Sequence, residues 1–342
     1  MMLEIILDDR GGKLWNISQL VTQISWKTSR KGKAGSLDMT FIKGSVGQDR
    51  NFNCTPGNIL RVKVKGFNLF YGYIFAIDSS DKETVKIMAY DQIRYLMNKD
   101  VSAFEDATAT EIIKGIAEKF NIRVGELADT VHRIPSMLED NKQLIDTIIK
   151  ALDETLTATE EIFILYDDFG SLTLRNAKDM IVAHSVGEGS QLMSYSHKIS
   201  IDSDTFNYMK FVQDNKKTGK RDVYVLKDSG NVAKWGQLQF YRVVDEKMNK
   251  AQIEELIDNV MRMKNRETRT LSVDAFGDLT VRAGCYVHIN IEELEMSQLF
   301  IVNECTHDFD GNEHKMKLQL EVYSRVDRGP DQKDQQYYTY RI

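Results

Sequence analysis

The chain has 342 residues, of which 42% are hydrophobic and 28% are charged, and its formal net charge is −6 at pH 7. A chain of this size can bury a substantial core, and its length predicts two or three folding units. Because positive and negative residues are interspersed, we expect no basic surface for nucleic acid and no cationic face for anionic lipid. No apolar run approaches the roughly 20 residues that a membrane span needs, so the sequence predicts a soluble protein.

The first residues and the cysteines bear on where the chain is made. Met1–Leu7 is a short apolar run that charged residues follow at once, which is not typical of a secretion signal. Cys54, Cys285 and Cys305 are too few and too scattered for a disulfide framework, and their odd number fits a reducing compartment. We therefore expect assembly in a cytoplasm. The sequence has only three prolines, which predicts closely joined domains without Pro-rich linkers.

Residues 1–100 are predicted to form β-structure. Apolar and polar residues alternate in Leu37–Phe41, Leu60–Val64 and Val85–Ala89, which is the period of a strand with one buried face. The basic, glycine-containing stretch Ser29–Gly35 is predicted to be the solvated tip of a hairpin. A phosphate-binding loop is disfavoured, because the Lys-Ser/Thr pair is missing and no helical pattern follows.

Residues 101–183 carry two helical patterns. Apolar residues recur at helical spacing in Ala109–Phe120 and in Asp140–Leu156. Thr108 or Asp106 could cap the first helix, and Asp140 could cap the second. The sequence therefore predicts two amphipathic helices within an α+β unit.

A hairpin and a possible glycan-binding helix complete this middle unit. Ile162–Tyr166 and Ser171–Arg175 flank a glycine-containing turn, and we expect both helices to pack on this hairpin. Ala109–Leu127 resembles the helical core of a LysM module, which holds peptidoglycan in other proteins. It lacks the asparagine-proline ending of that module, and such an apolar stripe is more often core packing.

From residue 184 the strand pattern returns. Asn215–Lys220 is predicted to be a second basic hairpin tip, and Lys247–Lys264 is predicted to be a helix. Asp310–Gly311 predicts a tight type I′ turn near the end of this part. Val326–Ile342 is polar and aromatic, and we expect it to be a tail that becomes ordered only against a partner.

The candidate metal sites are weak. Cys305 and His307 would share a face of a strand, whereas Cys285 and His288 would not, so core or interface positions are favoured over a metal site. A group of acidic and amide residues resembles part of a calcium loop but lacks its final glutamate, and a hairpin turn explains the same residues: Asp308, Asp310, Asn312 and Glu313. No metal ligand is therefore predicted.

No catalytic or cofactor-binding residue is predicted either. The acidic pairs Glu160–Glu161, Asp167–Asp168 and Glu292–Glu293 are adjacent in sequence, so their side chains would point to opposite sides of a strand, and we interpret them as solvated surface. The sequence has no Gly-x-Ser-x-Gly, no His-Glu-x-x-His and no dinucleotide-binding fingerprint. We therefore expect a protein that is not an enzyme and needs no cofactor.

The order of these parts resembles the tail-hub proteins of contractile phages and phage-derived bacteriocins, in particular the XkdQ/YqbQ group of Bacillus-type prophages. The resemblance extends to about Arg325. It depends on the order and spacing of short motifs rather than on any one of them, namely Ile24–Trp26, Leu37–Phe41, Phe70–Ile74, Ala89–Asp91, Tyr95–Leu96, Trp235–Gly236, Gly277–Gly284, Ile301–Val302 and Thr306–His307.

The resemblance implies a β-dominated α+β fold with four parts. These are a tube-like β-barrel domain (1–100), an α+β insertion with LysM-like helices (101–183), a second tube-like β-barrel domain (184–325) with a helical insert at about 228–264, and a tail (326–342). It also implies a homotrimer whose six barrels match a hexameric tail tube, since closed rings cover exposed strand edges. The two β domains should then superpose.

The resulting hypothesis is a structural baseplate hub that joins the tail tube to a central spike. Its implied partners are the spike, a tube or tube-initiator protein, the tape measure protein and other baseplate proteins, within a phage virion or tail-like bacteriocin particle. No direct nucleic-acid binding and no membrane span are expected. The alternatives are a cell-wall-anchoring protein that binds peptidoglycan through the LysM-like segment, and a wall-degrading hydrolase, for which no extra domain remains.

Overall fold

The computed structural model describes residues 3–44, 49, 52–215, 219–321 and, for the backbone alone, 335–341. Strands predominate, as the sequence predicts. The described residues divide into two compact units. The first lies within residues 1–155, 161–196 and 271–321, and the second within 156–160, 197–270 and 322–342. No helix of the described part is long and apolar enough to cross a membrane.

The elements are numbered in chain order. The strands are β1 (Leu3–Asp8), β2 (Leu14–Asn16), β3 (Val21–Ser29), β4 (Ser36–Ile42), β5 (Ile59–Val64), β6 (Phe67–Ser79), β7 (Thr84–Tyr90), β8 (Lys99–Thr108), β9 (Val124–Leu127), β10 (Arg133–Gln143), β11 (Phe163–Asp167), β12 (Leu172–Asn176), β13 (Ile181–Gly187), β14 (Leu192–Ser200), β15 (Tyr208–Asn215), β16 (Lys220–Asp228), β17 (Gln239–Val244), β18 (Thr268–Phe276), β19 (Tyr286–Ile291), β20 (Met296–Asp310), β21 (Glu313–Glu321) and β22 (Gln335–Arg341). The α-helices are α1 (Ala109–Lys119), α2 (Leu144–Thr159), α3 (Ser229–Trp235) and α4 (Lys250–Lys264).

The first unit is built on one large sheet with two halves of the same strand order. The order is β3-β4-β7-β6-β5-β1 in the N-terminal half and β14-β18-β21-β20-β19-β13 in the C-terminal half. Alternation buries one face of each strand, so that Leu37, Met39 and Phe41 of β4 enter the same core as Ile5 and Leu7 of β1. The matching order agrees with the predicted duplication of a β domain.

A shared irregularity strengthens the match between the halves. The pairing of β6 with β7 shifts register between Ile74 and Ala76, and the pairing of β20 with β21 shifts between Val302 and Glu304. Such bulges bend a strand at a defined position, so they mark equivalent residues. The edge strands differ, because β1 is antiparallel to β5 whereas β13 is parallel to β19. Closure of either half into a barrel remains a prediction.

The α+β insertion packs as predicted. Ile112 and Ile116 of α1 and Ile148 of α2 share a core with Leu165 and Leu174 of the β11–β12 hairpin. The prediction that the helices pack on the hairpin is confirmed. The same packing buries the apolar face of α1, which lies in the segment compared with a LysM module.

The N-terminal end of α1 agrees with the prediction, whereas that of α2 does not. Thr108 caps α1 in a capping box, in which its hydroxyl accepts from the Glu111 amide at 3.2 Å and the Glu111 carboxylate accepts from the Thr108 amide at 2.9 Å. The predicted start of the second helix at Asp140 is wrong, because β10 continues to Gln143 in antiparallel pairing with β8. Asn141 has φ +53°, which does not fit a helix interior.

The second unit contains a sheet in the order β17-β15-β16-β22, with α4 against one face. Ile253, Ile257 and Val260 of α4 share a core with Met209 and Phe211 of β15. The predicted insert at 228–264 is not only helical, since β17 lies between its helices and pairs in parallel with β15. The helix that was predicted to begin at Lys247 begins three residues later, at Lys250.

The hairpin predicted in this unit is present, whereas its C-terminal segment differs from the prediction. Asn249 caps α4 by accepting from the Gln252 amide at 3.0 Å. Within the predicted basic tip at Asn215–Lys220, residues 216–218 lie outside the described residues, while β15 and β16 form the expected hairpin on either side. In the predicted tail, 326–334 also lie outside them. The backbone of Gln335–Arg341 pairs antiparallel with β16, so ordering of this part only against a partner is wrong.

Candidate assembly surface

The two halves of the large sheet meet where β20 pairs with β3. We call this pairing the seam: it is antiparallel and runs from Glu304 opposite Ser29 to Asp310 opposite Gln23. The same part of β20 pairs with β21 on its other side. Both edges of this part of β20 are therefore hydrogen-bonded, which leaves no open backbone at the join.

Aromatic rings fill the core side of the seam. The Trp26 ring of β3 stacks on the His307 ring of β20 with a centroid distance of 5.3 Å. The Nε2 of His307 donates to the Val281 carbonyl at 2.8 Å, which leaves Nδ1 to accept from Nε2 of His314 at 2.9 Å. Burial lowers the pKa of His307 to about 4, so the ring is neutral at pH 7.

Cys305 occupies the same side of the seam. Its thiol lies 3.1 Å from Nε2 of His307, which confirms that the two side chains share a strand face. Both residues are fully buried, as the core interpretation requires. Burial also raises the pKa of the Cys305 thiol, so it stays protonated and behaves as a small apolar group.

Charged pairs hold the opposite side of the seam. Lys27 and Lys33 lie 2.8 Å and 3.0 Å from the Glu304 carboxylate. Nε of Arg30 donates to the Asn303 side-chain carbonyl at 2.8 Å, and the Arg30 guanidinium also lies 3.2 Å from the Glu321 carboxylate. These contacts link the tip of the β3–β4 hairpin to β20 and β21.

The predicted hairpin tip at Ser29–Gly35 is confirmed, because β3 and β4 pair on either side of it, but the tip is exposed to solvent only at Lys31 and Lys33. The Arg30 side chain is 11% exposed, and a side chain at Gly32 would collide with Ile149 of α2. Arg30 and Lys33 contact Asn303 and Glu304 in the other half of the sheet. A local sequence pattern cannot reveal these contacts, because the partners are more than 270 residues away.

Among the strand edges of the large sheet that have no paired neighbour in the described residues, two lie at equivalent ends of the two halves of the seam pattern, on β6 and on β14. On β6, the pairing with β5 ends at Tyr73, and the side turned away from β7 has no paired strand beyond it within the described residues. β14 is the last strand at the other end of the sheet, with β18 as its one described neighbour. Apolar side chains are exposed on both, including Phe75 at 37% and Ile199 at 53%. Open edges of this kind are sites for strand addition.

Comparison with known proteins places the sequence in a family. The model of the YQBQ-like family matches residues 24–321. The chain belongs to the YQBQ-like family. It is 30% identical over 288 residues to the phage-like element PBSX protein XkdQ of Bacillus subtilis, which covers 83% of this chain and 87% of that protein.

Two solved structures share the fold of this YQBQ-like chain. The 43 kDa tail protein of prophage MuSo2 from Shewanella oneidensis has a TM-score of 0.66 at 16% identity, covering 93% of this chain and 98% of that one. A tail protein from Neisseria meningitidis has a TM-score of 0.66 at 13% identity, covering 94% and 97%. The fold is thus that of phage tail proteins.

The remaining candidate chemistry of this YQBQ-like chain is structural. Gly311, with φ +57°, is the first of two loop residues between Asp310 and Glu313, so the turn lies one residue later than predicted and suits type II′ rather than type I′. This hairpin accounts for the calcium-like residues. Over the described ranges, no group of three or more His, Cys, Asp or Glu is placed to hold a metal.

One acidic residue that sequence reasoning missed lies in the interior. Asp167 is 8% exposed, which corrects its interpretation as solvated surface, and burial raises its pKa to about 6. Its carboxylate accepts from the Gly170 amide at 2.7 Å. Burial likewise raises the pKa of Asp91, which accepts from the Gly35 amide at 2.8 Å. The two carboxyls anchor a hairpin and a loop through these backbone donors, and Oδ2 of Asp167 is buried without a hydrogen-bond partner in the described part.

Proposed function

We propose that this YQBQ-like protein is a structural hub of a phage-type tail baseplate, which joins a six-fold tail tube to a three-fold central spike. The observation that supports it most is the repeated strand order of the large sheet, with the halves joined by a continuous seam. A chain with two equivalent halves lets three copies present six similar surfaces, so that a trimer can match a six-fold tube on one side and a three-fold spike on the other.

This proposal includes finer features. Each half closes into a tube-like barrel, within domain limits of about 1–100 and 184–325, and the α+β insertion at 101–183 lies outside the ring. The partners are the spike, the tube or tube-initiator protein, the tape measure and other baseplate proteins, in a particle assembled in a bacterial cytoplasm. The protein needs no cofactor and has no catalytic residues.

The test is the copy number in assembled particles. Cryo-electron microscopy of tails should show three copies at the junction of tube and spike. Mass photometry of the isolated chain should show a trimer, or a monomer that trimerises on meeting its spike, rather than a dimer. Six copies or two would contradict the hub. Pelleting with purified peptidoglycan and zymography of the full chain provide the controls, since a hub should stay in the supernatant and leave the gel blank. Pelleting would favour the cell-wall-anchoring alternative.

A further inference from the structure

We infer that β14 of one copy pairs with the open edge of β6 in a second copy, antiparallel and in the register of the seam, so that Ile77 lies opposite Ile199 and Asp78 opposite Lys198. This inference deepens the proposed function, on which it rests, by naming the strands that join neighbouring subunits. It uses the pairing of β20 with β3 as a template for a second, intermolecular pairing.

The shared bulge makes β6 the equivalent of β20. Ile74 pairs with Ala89 before the shift in register, as Val302 pairs with Leu320. Counting from these positions, Ile77 corresponds to Cys305, and Asp78 to Thr306. In β20 the edge at this level is filled by β3, whereas in β6 it has no described partner.

β14 is likewise the equivalent of β3. Both strands have nine residues, and each is the first strand in the order of its half of the sheet. The Ser194 hydroxyl lies 2.9 Å from the Asp274 carboxylate, on the face of β18 opposite to buried Val273 and Ala275. Alternation puts Lys198 on the same polar face as Ser194, and Ile199 on the core face.

Equivalent positions of the two strands differ in burial. Ile24, Trp26 and Thr28 of β3 are buried in the seam. Their equivalents in β14 are Tyr195, His197 and Ile199, of which Ile199 is 53% exposed. The Nε2 of His197 is buried without a hydrogen-bond partner in the described part. A strand whose core face is incompletely covered fits one that lacks its neighbour.

The seam register then makes complementary pairs. Cys305 lies opposite Thr28, and Thr306 opposite Lys27. Transferred to β6 and β14, these pairs become Ile77 with Ile199 on the core face, and Asp78 with Lys198 on the polar face. Ile77 packs against the N-terminal core, and Asp78 pairs in register with Lys86. The apolar residues thus meet each other, and so do the opposite charges.

A cysteine pair tests the register. I77C with I199C in the full chain should form disulfides between chains under mild oxidation, in assembled particles and in the concentrated protein, and yield covalent trimers on a non-reducing gel. I77C with M193C is the matched control, because Met193 lies on the same face of β14 but six residues away. T28C opposite native Cys305 reports the same geometry within one chain, without a gain in mass.

The outcomes separate this inference from the hub. Particles with three copies but no I77C–I199C cross-link would overturn the pairing and leave the hub intact, whereas six copies or two would overturn the hub. A charge exchange gives a second measurement. D78K and K198D should each weaken association about fivefold per interface, and the double exchange should restore it. Equal weakness of the double variant would contradict the register, with circular dichroism checking that each variant is folded.

Discussion

At the scale of single residues, His307 links the seam to pH. Because burial lowers its pKa to about 4, the folded protein takes up this proton near pH 4 and the unfolded chain near pH 6.5. The unfolded state therefore binds more protons between these values, and this histidine makes the free energy of unfolding fall as the pH drops from 6.5 to 4. The total effect is roughly 3 kcal/mol.

We predict that H307Q removes this part of the pH dependence. Asp91 and Asp167 act in the opposite sense, since their raised pKa values make the folded state bind protons more readily. The measurement is therefore the difference between the parent and H307Q in urea unfolding at several pH values. H184Q, at an exposed histidine, is the control. Parallel pH curves for the parent and H307Q would contradict the prediction.

At the scale of the elements, the core of the α+β insertion should be sensitive to cavities. Ile148 of α2 is fully buried among both helices and the hairpin. We predict that I148A lowers the free energy of unfolding by about 2 to 5 kcal/mol, through lost transfer energy and a residual cavity. The exposed Lys114 of α1 supplies the control K114A, which should be nearly neutral. Equal stability of the two variants would show that Ile148 is not a core residue.

The same scale shows what the sequence could predict. Local signals were sufficient for α1, for its Thr108 cap and for the β11–β12 hairpin, because their patterns lie within about 20 residues. The start of α2, the strand β17 and the burial of Arg30 and Asp167 were missed. Each depends on partners far along the chain: β8 for β10, β15 for β17, and Glu321 for Arg30. A strand or buried charge that a remote partner stabilises carries little local signal.

At the scale of the whole molecule, the duplication predicts which stretch is dispensable for the first unit. The short loop Arg30–Gly35 between β3 and β4 corresponds to residues 201–267 between β14 and β18, which contain most of the second unit. We predict that replacing 201–267 by a copy of Arg30–Gly35, in a chain ending at Glu321, leaves a folded first unit.

Thermal unfolding followed by circular dichroism would measure this. One cooperative transition with a strand-type spectrum is expected, because the core of the N-terminal half uses no residue of the replaced stretch. The control is the same truncation with 201–267 retained. A chain that aggregates or melts without cooperativity, when the control does not, would contradict the equivalence of the two connections.

The unequal connections have a consequence for the proposed ring. Around a ring of three copies, six equivalent half-sheets would alternate between a short loop at Arg30–Gly35 and a long excursion at 201–267. The half-sheets would then repeat every 60° of rotation around the ring, whereas the connections between their strands would repeat every 120°. The conversion from one periodicity to the other would reside in the segments that each chain has only once, the connection 201–267 among them, while the strand order of the two half-sheets stays the same.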